Sequence, residues 1–240
     1  MEVISIAASG RRANSQRAYA SALFTRLCGF ANTLELMTPS IVEDRDRTDL
    51  WDFGSYAAVC RATLECCLWF FYLGVEDVGE ERWRDRLNLV HLHDCSYRTR
   101  LFRTLLNDED EALKYEKARV ELIERLEKGP TLAPLSVKQR QHILQGIDSR
   151  FTAQNAILQA MGADVDQFRS WYEVLSSQAH SLPFSFHRML DDRRGDGVER
   201  EVDKAWVEGA MRFTQSYLAR SASQMLSLFP DIPDPRIARR

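Results

Sequence analysis

The sequence predicts an all-α protein, and three observations carry that prediction. Apolar residues recur at three- and four-residue steps through most of the 240 residues, the period of a helix that buries one face. No run of strict apolar–polar alternation marks a half-buried strand. Only 11 glycines and 7 prolines punctuate the chain, too few for the turns of a β-sandwich. The apolar fraction of 45% and charged fraction of 28% are those of a folded domain rather than a disordered one. The expected architecture is a single-domain bundle of seven to nine helices: residues 1–13 an arm, 14–229 the bundle, 230–240 a tail rich in proline and arginine.

The elements follow in order. A first helix spans about Asn14 to Leu36 and stops before Pro39, and the charged stretch Ile41 to Thr48 reads as a linker. A second begins near Leu50 with Asp49 as N-cap and ends at Gly74. A third covers Glu80 to Leu106. Asn107 caps a fourth, whose acidic first turn Asp108-Glu109-Asp110 suits the positive end of the helix dipole and which Gly129-Pro130 closes. A short helix capped by Ser136 and another ending at Gly162 come next. Asp164 with Gln167 resembles a capping box opening a helix from Val165 to His180. Pro183 starts the short helix Phe184 to Leu190. After the loop 191–197, a long final helix ends near Phe229, with Val202, Trp206, Phe213, Tyr217 and Met225 on one stripe and Gly209 where a neighbour approaches closely.

Charge and cysteines narrow the function classes. With 32 basic and 35 acidic residues the net charge is −3, which excludes binding nucleic acid by bulk charge but leaves a local patch open. The opening MEVISIAASG lacks a basic flank, and the longest strongly apolar run, Cys66 to Leu73, falls well short of the ~20 residues of a bilayer span. A cytoplasmic protein with no membrane partner is expected. The five cysteines show no paired spacing and are expected to be reduced, small buried residues.

Polar residues in apolar surroundings mark the candidate site. From Tyr56 to Leu73 the second helix is apolar almost all round, yet Arg61 and Glu65 sit one turn apart on a shared face. Burying both is costly unless further hydrogen bonds complete the arrangement, so a third polar partner is required. The helix from Val165 supplies candidates. Arg169, Glu173, Ser176 and His180 form a polar stripe beside the apolar stripe Val165, Phe168, Tyr172, Leu175 and Ala179. Two readings stand: a structural ion pair that fixes helix register, with His180 capping its own helix, or the charged floor of a pocket. In the pocket reading Arg61 binds an anion, Glu65 orients it, and His180, with Ser176 as its neighbour, serves as acid, base or donor.

Arg61-x-x-x-Glu65 followed by Tyr172-x-x-x-Ser176-x-x-x-His180 resembles a group of uncharacterised bacterial all-helical domains of unknown function. The likeness covers about Leu50 to Leu106 and Ile157 to Arg188. It implies that Arg61, Glu65, Ser176 and His180 meet in space. The chain is more distantly similar to HEPN domains, helical bundles that often act as metal-independent ribonucleases in toxin and antiviral systems. Their signature is an arginine four to six residues before a histidine. Here ten residues separate Arg169 from His180, a departure from that pattern.

Other signals point elsewhere. His91 and Cys95 stand one turn apart without two further zinc ligands in evident spacing. No phosphate-loop, dinucleotide or serine-nucleophile signature occurs, and neither a metal nor a cofactor is expected. Arg98, Arg100 and Arg103 make a modest basic cluster on a helix whose charges, Asp85 and Asp94 among them, read as a solvated face. Residues 108–128 read as an exposed helix laced with ion pairs. The ligand expected is a nucleotide or RNA phosphate, because arginine with histidine suits phosphate. The alternative is a non-catalytic interaction or scaffold protein, and the final helix would serve a homodimer as readily as a monomer core.

Overall fold

A computed structural model describes residues 1–11, 13–38, 52–192, 198 and 200–235. Among them it contains ten α-helices and no strand. The helices are α1 (Glu2–Ala8), α2 (Ser15–Met37), α3 (Phe53–Phe70), α4 (Glu80–Thr104), α5 (Glu109–Lys128), α6 (Val137–Leu144), α7 (Gln154–Ala160), α8 (Val165–Ala179), α9 (Pro183–Asp192) and α10 (Glu201–Leu228). The tenth arises because the expected arm begins with α1, which buries Ile4 and Ala8. Rather than one bundle, the contacts gather into two compact units. Unit 1 comprises Met1–Val75 with Ile157–Arg240, and unit 2 comprises Glu76–Ala156.

Capping side chains mark the starts of α2, α3, α5, α6 and α8. Asn14 accepts from the Arg17 amide at 2.9 Å, and Ser136 with Gln139 forms a reciprocal box. Asp164 accepts from the Gln167 amide at 2.9 Å. Two expected caps move. Asp108, not Asn107, caps α5, accepting from the Glu111 amide at 3.0 Å. Asn107 instead takes the left-handed conformation, φ 51°, which asparagine tolerates better than most residues. The expected cap Asp49 and start Leu50 lie outside the described residues. The helix there begins at Phe53, with Asp52 accepting from the Ser55 amide at 3.2 Å. The linker 41–48, the loop residues 193–197 and the basic end Arg236 to Arg240 also lie outside the described residues.

In unit 1, α3 is the central helix, packed by α2, α8 and α10. Ala57, Cys60, Leu64, Cys67, Leu68 and Phe70 are all fully buried, as a helix apolar on nearly every side must be. It does not end at Gly74. The chain runs on through a π-helical turn, Phe71–Val75, in which Gly74 meets α2: a Cβ there would lie 2.7 Å from Ala20 Cβ. The glycine is required for space, not as a helix stop. Phe53–Val75 is also the one stretch among the described residues long and apolar enough to cross a bilayer. On the other side of α3, Phe168, Trp171, Tyr172, Phe213 and Tyr217 form an aromatic cluster between α8 and α10. Gly209 on α10 is the close approach expected from the sequence, because an added Cβ would fall 2.7 Å from Trp171 Cη2.

In unit 2, α4 and α5 form a hairpin. Its core is Leu89, Leu92, Leu122 and Leu126, with Leu132 and Ile143 closing it. The ion-pair lacing read for residues 108–128 is present as Lys114–Glu111 at 2.5 Å and Arg125–Glu121 at 3.3 Å.

Candidate anion site on the α3–α8 face

Arg61 and Glu65 lie one turn apart on the face of α3 that meets α8, and Tyr172 and Ser176 lie one turn apart on the facing side of α8. Arg61 Nε donates to Ser176 Oγ at 2.9 Å. The Tyr172 hydroxyl donates to Glu65 Oε1. As α3 advances one turn its partner on α8 recedes one turn, so the two helices run antiparallel with matched registers. The Arg61 guanidinium also stands over the Tyr172 ring, 5.1 Å from its centroid. That ring also stacks on the fully buried Phe168, with centroids 5.5 Å apart. All four side chains are half-buried.

The electrostatics follow from this placement. Burial, and then the hydrogen bond to Glu65, push the Tyr172 phenol up to about 12, against the opposing pull of Arg61. At neutral pH it is therefore a fixed O–H donor aimed at the carboxylate. Among the described residues Arg61 and Glu65 are not joined as the ion pair that one of the two readings gave them. Each is drawn to a different residue of α8, and among the described residues no carboxylate pairs with Arg61. Its Nε is held by Ser176 and one face by Tyr172, and among the described residues the edge carrying the terminal amino groups has no anionic partner.

His180 does not complete the cluster expected from the sequence. It is the exposed C-cap of α8, with φ −102° and ψ 7°. Its amide bonds the Ser176 and Gln178 carbonyls. Among the described residues its ring makes no hydrogen bond to Arg61, Glu65 or Ser176. The α-helix ends at Ala179 and His180 follows it as the exposed C-cap, so the last step of the pattern falls at the end of α8. Arg169 and Glu173 are exposed.

No family model, curated protein or solved structure matches this chain. What the site can do is therefore argued from its own side chains. A guanidinium pinned at Nε and stacked on one face can offer a fork of N–H donors to the oxygens of a phosphate or carboxylate.

Sequence reasoning placed Tyr172 on the apolar stripe and within the resemblance motif, and did not give it the donor's part. Its signal was the four-residue step to Ser176, which matches the step from Arg61 to Glu65. The remaining polar signals resolve differently. His93 Nδ1 bonds the Gly146 carbonyl at 3.0 Å, and among the described residues no three His, Cys, Asp or Glu side chains are placed to hold a metal. The basic cluster of α4 is largely neutralised, Arg98 by Asp94 at 2.7 Å and Arg103 by Glu109 and Glu116 at 2.7 and 3.0 Å. Two charges of α4 read as solvated are buried instead. Asp85 accepts from the Thr131 amide at 3.0 Å, and Arg86 pairs with Glu76 at 2.8 Å. Nothing in the helical pattern of α4 distinguished them from their exposed neighbours.

Proposed function

We propose that the α3–α8 face binds an anion through Arg61, and that a nucleotide or RNA phosphate is the anion to try first. One observation carries this reading: a half-buried arginine, oriented by Ser176 and Tyr172, has no carboxylate among the described residues to neutralise it. A desolvated, unpaired charge is costly and is relieved by an anionic ligand. Glu65 acts on the site through Tyr172, whose ring it anchors under the guanidinium. His180 is exposed one turn beyond Ser176 and would meet the distal part of a bound polymer. The distant HEPN similarity makes RNA, in a defence- or toxin-like setting, the polymer of interest.

The reading is tested by calorimetric titration of AMP against adenosine. The expected result is binding of AMP, with adenosine and the Arg61→Gln variant each weaker by about tenfold or more, the equivalent of ~1.4 kcal/mol. The melting midpoint of Arg61→Gln should hardly move. RNA cleavage by wild type and His180→Ala is the separate test of catalysis, and equal activity ends the nuclease reading.

A second reading has its own observation. Both hydrogen bonds cross from α3 to α8, as they would in a scaffold that uses the same residues to fix helix register. It predicts the opposite pattern: a strong fall in melting midpoint for Arg61→Gln and no AMP binding to lose.

A further inference from the structure

Unit 2 holds a concavity of about 310 Å³ between α4 and the connections that join α5 to α6 and α6 to α7. Arg82 and Arg86, one turn apart on α4, line one side of it. Pro130, Pro134 and Leu135 line it from the first connection and Phe151 from the second. Its charges are unbalanced. Arg86 is only 7% exposed and is neutralised by Glu76 at 2.8 Å. Arg82 is exposed, and among the described residues it has neither a hydrogen bond nor an ion pair. The neighbouring carboxylates are engaged elsewhere, Glu80 by Arg84 and Asp85 by the Thr131 amide. Among the described residues no carboxylate lines the concavity, so it carries one uncompensated positive charge.

A guanidinium with open N–H groups receives a carboxylate as a two-point fork. In a concavity with an apolar wall that attraction exceeds its strength on an open helix face. The wall here is two proline rings, a leucine and a phenyl ring. It offers burial to an apolar body and little to a sugar or a polyphosphate. The single unbalanced charge suits a monoanion, and the volume lies at the lower end of the range of about 300–1,000 Å³ usual for small-molecule sites. We infer that the concavity beside Arg82 binds a small monocarboxylate with an aromatic or branched apolar body. Arg82 takes the carboxylate, and Phe151 with the two prolines covers the body. The inference is independent of the Arg61 reading, with which it shares no residue.

The test uses the full chain and saturation-transfer NMR titrations with 3-phenylpropionate, its neutral amide 3-phenylpropanamide, and acetate. Wild type is expected to bind 3-phenylpropionate about tenfold or more tighter than either comparison compound, because one lacks the charge and the other the body. Arg82→Gln should erase the preference over the amide, and Arg82→Lys should keep part of it. Both variants should melt with wild type, since Arg82 is exposed and unbonded. Arg61→Gln and Arg84→Gln should bind as wild type does. Pro134→Trp, at the exposed rim, should shut out the phenyl ring; Thr152→Trp on the same concavity is the second plug if the first melts early. Absence of 3-phenylpropionate binding to wild type, or equal binding of the three compounds, would overturn the inference. So would binding that survives Arg82→Gln or both plugs. Loss of binding in Arg61→Gln instead would assign the carboxylate to the α3–α8 face and likewise overturn it.

Discussion

The bond from Tyr172 to Glu65 gives the most direct measure of whether the α3–α8 face is built as described. Tyr172→Phe removes the hydroxyl and keeps the ring, so the stacking on Phe168 and the seat under Arg61 persist. A hydrogen bond to a charged group contributes about 1.5–3 kcal/mol. Both partners here are half-buried, so solvent screening lowers the expectation to about 1–2 kcal/mol. In a unit of this size each kcal/mol moves the midpoint by about 2–4 °C, so a fall of about 2–8 °C is expected. Glu65 makes a further contact besides Tyr172, so Glu65→Leu alone measures more than this one bond. The double-mutant cycle cancels that excess. Urea unfolding of wild type, both single variants and the double variant, followed by circular dichroism at 222 nm, should return a coupling energy of about 1 kcal/mol. A coupling below about 0.5 kcal/mol, the scatter of independent sites, would refute the claim that the phenol and carboxylate hold the two helices in register.

Further expectations concern pH, packing and thiol chemistry. The Tyr172 phenol, raised from 10.0 to about 12, binds its proton more tightly folded than unfolded. Its contribution is complete below pH 10 and lost as pH climbs toward 12. Melting midpoints should fall across that window, and Tyr172→Phe should flatten the fall. Burial also pushes Cys60 and Cys66 up to about 11 and Cys67 to about 12. Since all five cysteines are buried, Ellman's reagent should react slowly with the native protein at pH 8 and with five equivalents once it is unfolded. Gly74→Ala should destabilise by about 1–3 kcal/mol in thermal unfolding. The new Cβ would press on the backbone of Ala20, 2.8 Å from its Cα, where no side chain can swing away. Asp85→Ala leaves the Thr131 amide without its acceptor and should cost unit 2 about 1–3 kcal/mol. An unchanged midpoint would mean that another acceptor takes the amide.

The sequence by itself determined the helical class, most helix boundaries and the presence of misplaced polar residues. These are local properties: a 3.6-residue period, a capping side chain three residues ahead of its amide, or a charge set in an apolar run is visible in a short window of chain. That Arg61 and Glu65 meet Ser176 was expected only from the resemblance; which side chain pairs with which, and the part of Tyr172, was not visible, because it depends on the antiparallel register of α3 and α8, more than 100 residues apart. Tertiary packing likewise buried Asp85 and Arg86 in a helix that reads as a solvated face, carried α3 through a π-turn past Gly74, and left His180 on the surface where α8 stops. It also gathered Arg82 with Pro134 and Phe151 around one concavity. A helical pattern states which face of a segment is apolar, but which other segment covers that face is decided only when the whole chain competes for the same interior.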